Sequence, residues 1–442
     1  MNRILSGCLI GTALFSLTPM AQAIDIQRWT TPQGSQVLLV ERHDLPIVDY
    51  TVIFKGAGST ADPEGKSNIA TATAQLLVSG TTQLDEEQFN SKINDLASNI
   101  ETGNSFEYSN VSFRSLSDAN KLNATADLFN QAITQPRFDA NALQRIKDQA
   151  ILSLKQSESY PDYLASRELT RLNYPHHPYG KSAYQTVEKI QSIQQQDLVN
   201  FHKKNYTQNQ AIIAIVGDIT RPQAEALITR TLSNVPTHIN TNTAAPKVEI
   251  IGGKRKNLPY PHSTQTSISM GLPVLTADDP DYFAMLVGNY ILGGGEFDSR
   301  LMKELRDKKG YTYGVTSSLS AYTQAAPFTI TFSTENQNAK DALASAQKVL
   351  ADFIAQGPTA TELKQAKDSI TGAFPLRFDT NGKLLGNLMA VGVHNRPTDW
   401  FDTYNDKINA LTVDDIKRAW QRKIQPTQLN IVVVGGKNSA KP

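Results

Sequence analysis

Apolar residues occur in alternating and continuous runs that divide the chain into predicted strands and helices. The runs AIIAIVG at 211–217 and NIVVVGG at 430–436 consist mostly of branched apolar residues and end at glycine, which is typical of a buried strand. The segment from Val48 alternates apolar and polar positions, which indicates a strand with one buried face. Segments around Leu143 and Leu363 have a helical period.

These patterns recur at a nearly constant offset, which predicts an internal duplication. Gly217 and Gly435 end the two buried runs 435 − 217 = 218 positions apart. The alternating segment from Val48 is echoed from Thr264, and LQRIKD from Leu143 is echoed by LKQAKD from Leu363. Because strands and helices do not alternate regularly, we expect an α+β fold of two homologous halves, each a mainly antiparallel sheet packed with helices. The predicted halves span 24–232 and 257–442, and a linker at 233–256 is rich in Pro, Asn, Thr and Gly.

The first 23 residues have the pattern of a secretory signal peptide. Arg3 precedes an apolar stretch at 4–17, and Ala21-Gln22-Ala23 is a small-x-small cleavage site, so we expect cleavage after Ala23 and export to a periplasm. Cys8, the one cysteine of the chain, lies inside this leader. LSGC resembles a lipoprotein box, but almost no apolar stretch precedes it, and a lipid anchor is the weaker expectation. No later apolar run has the roughly 20 residues that a bilayer span requires.

Composition narrows the class of protein further. The chain has 442 residues, enough for two domains, and its 40% hydrophobic and 19% charged residues are typical of a globular protein. Lys and Arg number 43 against 42 Asp and Glu. This near-balance lacks the basic excess of nucleic-acid-binding domains, so a nucleic-acid partner is disfavoured.

The common catalytic motifs are missing from the sequence. It contains no phosphate-binding loop, no Gly-x-Ser-x-Gly elbow, and neither HExxH nor HxxEH. His176 and His177 in NYPHHPYG are the remaining candidates for metal ligands. Adjacent side chains diverge in most backbones, so we favour the alternative of a loop that packs Tyr179.

The segment GGGEFDSRLMKELRDKKG predicts a loop followed by a capped helix. Gly293, Gly294 and Gly295 precede a helix that Asp298 or Ser299 can cap. The predicted apolar face of this helix consists of Leu301, Met302 and Leu305, and Gly310 is predicted to end the helix. Two interpretations remain open: a flexible loop before a surface helix, or a mobile loop whose backbone approaches a ligand.

Arg306 and Tyr313 lie on either side of this helix end. The following YTYGVTSSLS predicts a strand in which Tyr311 and Tyr313 share a face with Val315. Arg306 and Tyr313 can then converge across the bend. From spacing alone we favour the alternative in which Arg306 pairs with a nearby acid such as Glu304 or Asp307 and Tyr313 fills the core.

The same segment resembles a signature of the insulinase/pitrilysin family of zinc peptidases. The similarity consists of three glycines, then Ser-Arg-Leu, then Arg306 and, seven residues later, Tyr313. HPYG at 177–180, YTQNQAIIAIVGDI at 206–219 and the duplicated layout also resemble that family, so the resemblance covers essentially the whole mature chain. It implies two α+β halves that enclose a peptide chamber.

The resemblance also shows where the family's zinc site should be. The family places an HxxEH helix just before a Gly-Thr pair, which is Gly80-Thr81 here, so that Thr71, Ala74 and Gln75 stand at the His, Glu and His positions. Thr and Gln are poor zinc ligands beside imidazole, and Ala cannot act as a general base.

The family's third ligand, a glutamate, should fall near Ile151–Leu154, where no carboxylate occurs. Asp148 and Glu158 are the nearest acids. We therefore expect that this chain binds no metal.

In this family, the Arg and the Tyr contact the scissile carbonyl and the developing oxyanion. Some members are heterodimers, in which one chain carries the zinc site and the other carries the Arg/Tyr pair. The resemblance therefore implies a non-catalytic subunit whose Arg306 and Tyr313 support a zinc-bearing HxxEH partner, with Gly293–Gly295 helping to hold the peptide. The alternatives are a stand-alone peptide-binding or structural protein and, more remotely, an autonomous peptidase with a rearranged metal site.

Overall fold

The computed structural model describes residues 24–237 and 245–436. The predicted signal peptide at 1–23, including Cys8, lies outside the described residues, as do 238–244 and 437–442. Two β-sheets packed with helices make up the described part, which confirms the predicted α+β class.

The first sheet has the strand order β1-β2-β6-β3-β5-β4. Neighbouring strands are antiparallel, except that β2 and β6 are parallel. Its strands are β1 (Gln27–Thr30), β2 (Gln36–Glu41), β3 (Ile47–Lys55), β4 (Asn99–Asn104), β5 (Tyr108–Leu116) and β6 (Ala211–Gly217). Both faces are buried: Val37 and Leu39 of β2 face one apolar core and Leu38 and Val40 face another. A strand covered on both sides has no polar face, which explains the continuous apolar run in β6.

The second sheet has the order β7-β11-β8-β10-β9, and only β7 and β11 are parallel. Its strands are β7 (Arg255–Pro259), β8 (Gln265–Leu275), β9 (Val315–Leu319), β10 (Ala326–Glu335) and β11 (Asn430–Gly435). This order repeats that of β2 to β6 strand for strand. The segments from Val48 and Thr264 correspond to β3 and β8, and the two glycine-terminated runs are β6 and β11. The duplication predicted from the sequence is therefore present in the topology.

Helices cover the sheets. Those before β7 are α1 (Ile69–Leu77), α2 (Glu86–Asp95), α3 (Ala119–Thr134), α4 (Ala140–Ser157), α5 (Pro161–Asn173), α6 (Val187–Gln191), α7 (Gln195–Asn205) and α8 (Arg221–Thr231). Those after it are α9 (Tyr282–Asn289), α10 (Ala339–Gln356), α11 (Ala360–Ala373), α12 (Asn381–Val393), α13 (Trp400–Ala410) and α14 (Val413–Lys423). Within residues 24–237 and 245–436, no helix is long and apolar enough to cross a bilayer.

One helix from each half packs on the sheet of the other half. Helix α5 follows the first five strands in sequence, yet its Ala165 and Leu169 pack against Val432 and Val434 of β11. Helix α12 in turn packs on the first sheet. At Gly392, helix α12 lies so close to strand β6 that a Cβ atom added there would be 2.6 Å from Ile212 Cγ2. Because of this exchange, the two halves cannot separate without exposing apolar surface of both sheets.

Candidate substrate-binding site

Arg306 lies on a wide, π-helical turn that spans Met302–Lys308. Leu301, Met302 and Leu305 are buried, as the sequence predicts, and they anchor the turn to the core beneath it. Ser299, not Asp298, caps the segment, because its Oγ accepts a hydrogen bond from the Met302 amide at 3.4 Å. π-helical turns are rare and frequently occur at functional sites. Arg306 is half-buried on this turn.

The guanidinium of Arg306 makes no ion pair within the described ranges. Its Cζ lies 4.8 Å from the centroid of the Phe297 ring. Glu304, the acid that could neutralise it, is contacted instead by Lys308 at 3.2 Å and by Lys309 at 3.6 Å. The expectation that Arg306 forms a local salt bridge is therefore wrong. Its N–H donors are not used by a carboxylate of the described chain.

Tyr313 is almost fully exposed, with 92% of its surface accessible. The expectation that it fills the core is wrong, and so is the expectation that a strand begins at Tyr311. Thr312 forms a tight turn in which its hydroxyl donates to the Gly314 carbonyl at 2.8 Å and accepts from the Gly314 amide at 3.1 Å. Strand β9 therefore begins at Val315, where pairing with β10 starts. Tyr313 precedes the sheet and projects its phenol into solvent.

Two of the three glycines are helical, which corrects the expectation of a loop, and Gly295 forms a bend directly after them. Gly293 and Gly294 belong to a π-helical turn, Tyr290–Gly294, that continues α9. Gly293 is buried against β9, and a Cβ there would lie 2.6 Å from Ser317 Oγ and 2.8 Å from the Ser317 amide nitrogen. Gly294 is exposed, and Gly295 is buried against Tyr290. Close packing on β9 is thus one physical reason for glycine at position 293.

The positions of the family's zinc ligands lie on α1, as the alignment with Gly80-Thr81 predicts. Thr71 is half-buried and its hydroxyl donates to Asn104 Oδ1 at 3.1 Å. Ala74 is buried and Gln75 is exposed. The three positions still share one face of the helix. Their side chains are a threonine hydroxyl bonded to Asn104, the methyl group of Ala74 and the amide of Gln75, and these do not form a set of zinc ligands.

The helix α1 begins in an unusual way. The buried carboxylate of Asp62 accepts hydrogen bonds from the amides of Asn68 and Ala70, both at 2.8 Å, which ties the chain before α1 to its first turn. Burial raises the pKa of Asp62 to about 6, although these two amides act in the opposite direction. Asp62 thus fixes the start of the helix that carries the three aligned positions.

No carboxylate near α4 replaces the missing third ligand. The matching stretch Ile151–Leu154 lies within α4, and Leu152 is 68% exposed there. Asp148 accepts from Gln144 at 2.9 Å, and Glu158 pairs with Arg167 at 2.6 Å. Across residues 24–237 and 245–436, no group of three or more His, Cys, Asp or Glu side chains is arranged to hold a metal ion. The residues present do not fit the zinc that the family implies.

His177 has a structural role, in agreement with the favoured alternative. Its Nδ1 accepts from the Tyr179 amide at 3.1 Å and its Nε2 donates to the Pro246 carbonyl at 2.8 Å. Tyr179 is buried, and its hydroxyl donates to Glu107 Oε1 at 2.6 Å. Glu107 also accepts from the Thr323 amide of the β9–β10 turn at 3.2 Å. The HPYG segment therefore joins elements of both halves.

The structure separates the two groups of predicted site residues. Thr71 is hydrogen-bonded within the first half, whereas Arg306 and Tyr313 lie in the segment that leads into β9 of the second sheet. In the part of the chain that is described, no hydrogen bond, ion pair or ring contact joins the groups. Phe297, 63% exposed and stacked on Arg306, was not identified from the sequence. The sequence feature that could have identified Phe297 is its position as an aromatic residue between two acids, Glu296 and Asp298.

Two protein-family models match the chain. The one described as insulinase (peptidase family M16) matches residues 37–187, and the one described as peptidase M16 inactive domain matches residues 192–370. The chain is 26% identical over 407 residues to the "Non-peptidase homolog YmxG" of Helicobacter pylori, and the alignment covers 92% of this chain and 93% of the relative. It is 22% identical over 241 residues to the beta subunit of the mitochondrial-processing peptidase of Neurospora crassa, about half of either protein.

Solved structures agree with these matches. A crystal structure of a peptidase M16 inactive domain from Pseudomonas fluorescens is 31% identical, with a TM-score of 0.89 over 95% of this chain and all of that one. The periplasmic protease PqqL of Escherichia coli has a TM-score of 0.80 at 17% identity. The match covers 99% of this chain but 49% of PqqL, and at this identity it shows the fold alone. Sequence, topology and these matches agree: the chain belongs to the insulinase family of peptidases, family M16.

Proposed function

We propose that this chain is the substrate-binding, non-zinc-binding subunit of a heterodimeric periplasmic zinc peptidase. Arg306 and Tyr313 complete an active site whose zinc lies on a homologous partner that carries HxxEH. One observation carries the proposal: both side chains lack a charged or hydrogen-bonding partner in the described chain, while the zinc positions Thr71, Ala74 and Gln75 offer no ligand set. Two polar side chains that remain free to contact a ligand, one of them on a π-helical turn, support a functional role.

The chemistry of the pair suits a peptide carbonyl. The Arg306 guanidinium can donate charge-assisted hydrogen bonds to a carbonyl oxygen and so hold the peptide in register. The Tyr313 phenol can donate to the same oxygen as it becomes negative, and a positioned donor of this kind is worth about 3 kcal/mol in a transition state. Gly294, exposed between two packed glycines, presents backbone to the same region and is proposed to help hold the peptide.

The periplasmic location rests on the N-terminal pattern at 1–23. A structurally similar protein, PqqL, is a periplasmic protease. A soluble partner exported to the same compartment is therefore the simplest source of the missing zinc helix.

A second candidate is a stand-alone peptide-binding protein without any hydrolytic role. The Helicobacter pylori relative, named a non-peptidase homolog, favours this candidate. In this second candidate function, Arg306 and Tyr313 contact a bound peptide, but no zinc from a partner chain takes part.

The decisive experiment measures peptide cleavage by this chain co-purified with an exported HxxEH homologue. We expect the wild-type pair to cleave, and the Tyr313→Phe and Arg306→Ala variants to lose about 100-fold or more in kcat/KM with the complex intact. Tyr160→Phe and Arg145→Ala are matched controls, because Tyr160 is 52% exposed and Arg145 pairs with Glu86 on the surface. Full cleavage by both test variants refutes the proposed role. A chain that binds peptide but elutes alone and never cleaves supports the second candidate.

A further inference from the structure

A cavity of about 650 Å³ lies in the second half, between the start of α9, the α12–α13 turn and helices α13 and α14. We call it the Trp400 pocket. Its size is that of a site for a small organic ligand. Tyr282, Phe283 and Trp400 form an aromatic wall, with the Phe283 and Trp400 rings stacked at 5.2 Å between centroids. None of the residues proposed above to contact peptide lines it.

Two cations flank the Trp400 ring. The Arg396 guanidinium lies 4.0 Å from the ring centroid, and the Lys407 ammonium lies 4.9 Å from it. Lys407 is seven residues from Trp400 on α13, two helical turns along one face. In the parts of the chain that the structure covers, neither cation has a carboxylate partner. Aromatic faces stabilise the two charges but leave their hydrogen-bonding capacity largely unused.

The other charges of the pocket are already neutralised. Three ion pairs account for them: Arg422 with Asp281, Arg418 with Asp415, and Lys423 with Asp279. Asp278, the remaining acid, is exposed and accepts from the Thr276 hydroxyl. Because Lys423 neutralises Asp279 from outside the lining, the groups left unpaired are Arg396 and Lys407 against Asp278, an excess of one positive charge.

Two buried nitrogen atoms at the pocket have no hydrogen-bond partner in the described structure, Arg396 Nε and His394 Nδ1. Buried polar atoms are nearly always paired, so these two nitrogens add unused hydrogen-bonding capacity beside the pocket. Burial, and then the nearby cations Arg396 and Lys55, lower the pKa of His394 to about 4. The imidazole is therefore neutral at pH 7 and does not add to the positive charge.

We infer that the Trp400 pocket binds an organic carboxylate with an aromatic or aliphatic body, either a free acid or the C-terminal residue of a peptide. Arg396 and Lys407 contact the carboxylate, and the aromatic wall contacts the body. A single excess positive charge matches a monoanion better than a phosphate dianion. The planar guanidinium is suited to a carboxylate because it can donate two parallel hydrogen bonds. This inference does not depend on the proposed subunit role, since it concerns the isolated chain.

The test is calorimetric titration of the isolated mature chain with N-acetylphenylalanine and with N-acetylphenylalaninamide, which lacks the carboxylate. We expect the acid to bind at least about tenfold more tightly than the amide. Arg396→Gln and Lys407→Gln should each weaken acid binding by about tenfold, and Lys348→Gln, whose lysine pairs with Asp352 on α10, should not. Lys407 is exposed, so its variant retains the fold even where loss of Arg396 disturbs the α12–α13 turn.

The source of the carboxylate follows from a third probe, the tripeptide acetyl-Ala-Ala-Phe with a free C-terminus. Tighter binding of the tripeptide than of N-acetylphenylalanine supports a peptide terminus, and equal binding supports a free acid. Equal affinity for acid and amide overturns the inference. Unchanged acid binding in Lys407→Gln, or tighter binding of inorganic phosphate than of the acid, also overturns it.

Discussion

Replacement of Gly293 by alanine tests whether the triple glycine is packed or mobile. The added Cβ would lie 2.6 Å from Ser317 Oγ, 2.7 Å from Leu301 Cδ1 and 2.8 Å from the Ser317 amide nitrogen. All three distances are shorter than a carbon atom tolerates, and the amide nitrogen belongs to β9, which is fixed by its pairing with β10. The clash cannot be relieved by a side-chain rotation alone.

The size of the effect follows from two opposing contributions. Overpacking of a core costs about 1–3 kcal/mol, whereas alanine in place of glycine in a helical segment gains about 0.5–1 kcal/mol. We therefore expect Gly293→Ala to lower the free energy of unfolding by about 1–2 kcal/mol. The measurement is urea denaturation followed by circular dichroism, with a shift of the midpoint at unchanged slope.

Gly386→Ala is the matched control. Gly386 lies inside α12, is exposed, and has no atom within 4 Å of the position of an added Cβ. This variant should gain about 0.5–1 kcal/mol, which places the two alanine variants about 2 kcal/mol apart. If Gly293→Ala instead becomes as stable as Gly386→Ala, Gly293 is not packed against β9 and the segment is an open loop.

Three further perturbations have defined outcomes. Burial lowers the pKa of His202 to about 4, so the native state resists protonation and loses stability as the pH falls from about 6.5 to 4. In His202→Gln this loss of stability on the acid side should shrink by up to about 3 kcal/mol. Thermal unfolding measured against pH tests this. Burial alone would raise the pKa of Glu362, but hydrogen bonds from Arg300 and Thr359 lower it to about 2, so its stabilisation is present above about 4.5 and lost towards pH 2. Glu362→Gln should cost about 1–2 kcal/mol at pH 7 and converge with wild type at about pH 2, and an equal deficit at both pH values contradicts this cause. Trp420→Ala should cost about 3–5 kcal/mol in urea denaturation, because the indole is fully buried and stacks edge-on against two phenylalanine rings; a loss below 1 kcal/mol contradicts that packing.

The duplicated α+β plan could be predicted from the sequence because it depends on local periodicity. Buried strands such as β6 and β11 require branched apolar runs, and both runs end at glycine. The lack of a zinc-binding set on α1 could also be inferred without a structure, but only through the family resemblance, which places Thr71, Ala74 and Gln75 at the ligand positions. Neither conclusion requires knowledge of distant contacts.

The exchange of α5 and α12 between sheets could not be predicted. Both helices are amphipathic, and an amphipathic pattern states that one face is buried without stating against what. The HPYG segment, with His177 bonded across to Pro246, depends on the same long-range arrangement.

The interpretation of Arg306 and Tyr313 shows most clearly where sequence ends and tertiary structure begins. The sequence determined that an arginine and a tyrosine stand seven residues apart beside a helix end, and spacing alone favoured a salt bridge and a core position. The structure differs in both respects: Lys308 and Lys309 pair with Glu304, and the pairing with β10, which is a tertiary contact, begins only at Val315, after the Thr312 turn. The sequence shows that several cations lie near Glu304 but not which of them pairs with it, and the start of β9 depends on where β10, a strand distant in sequence, lies beside it.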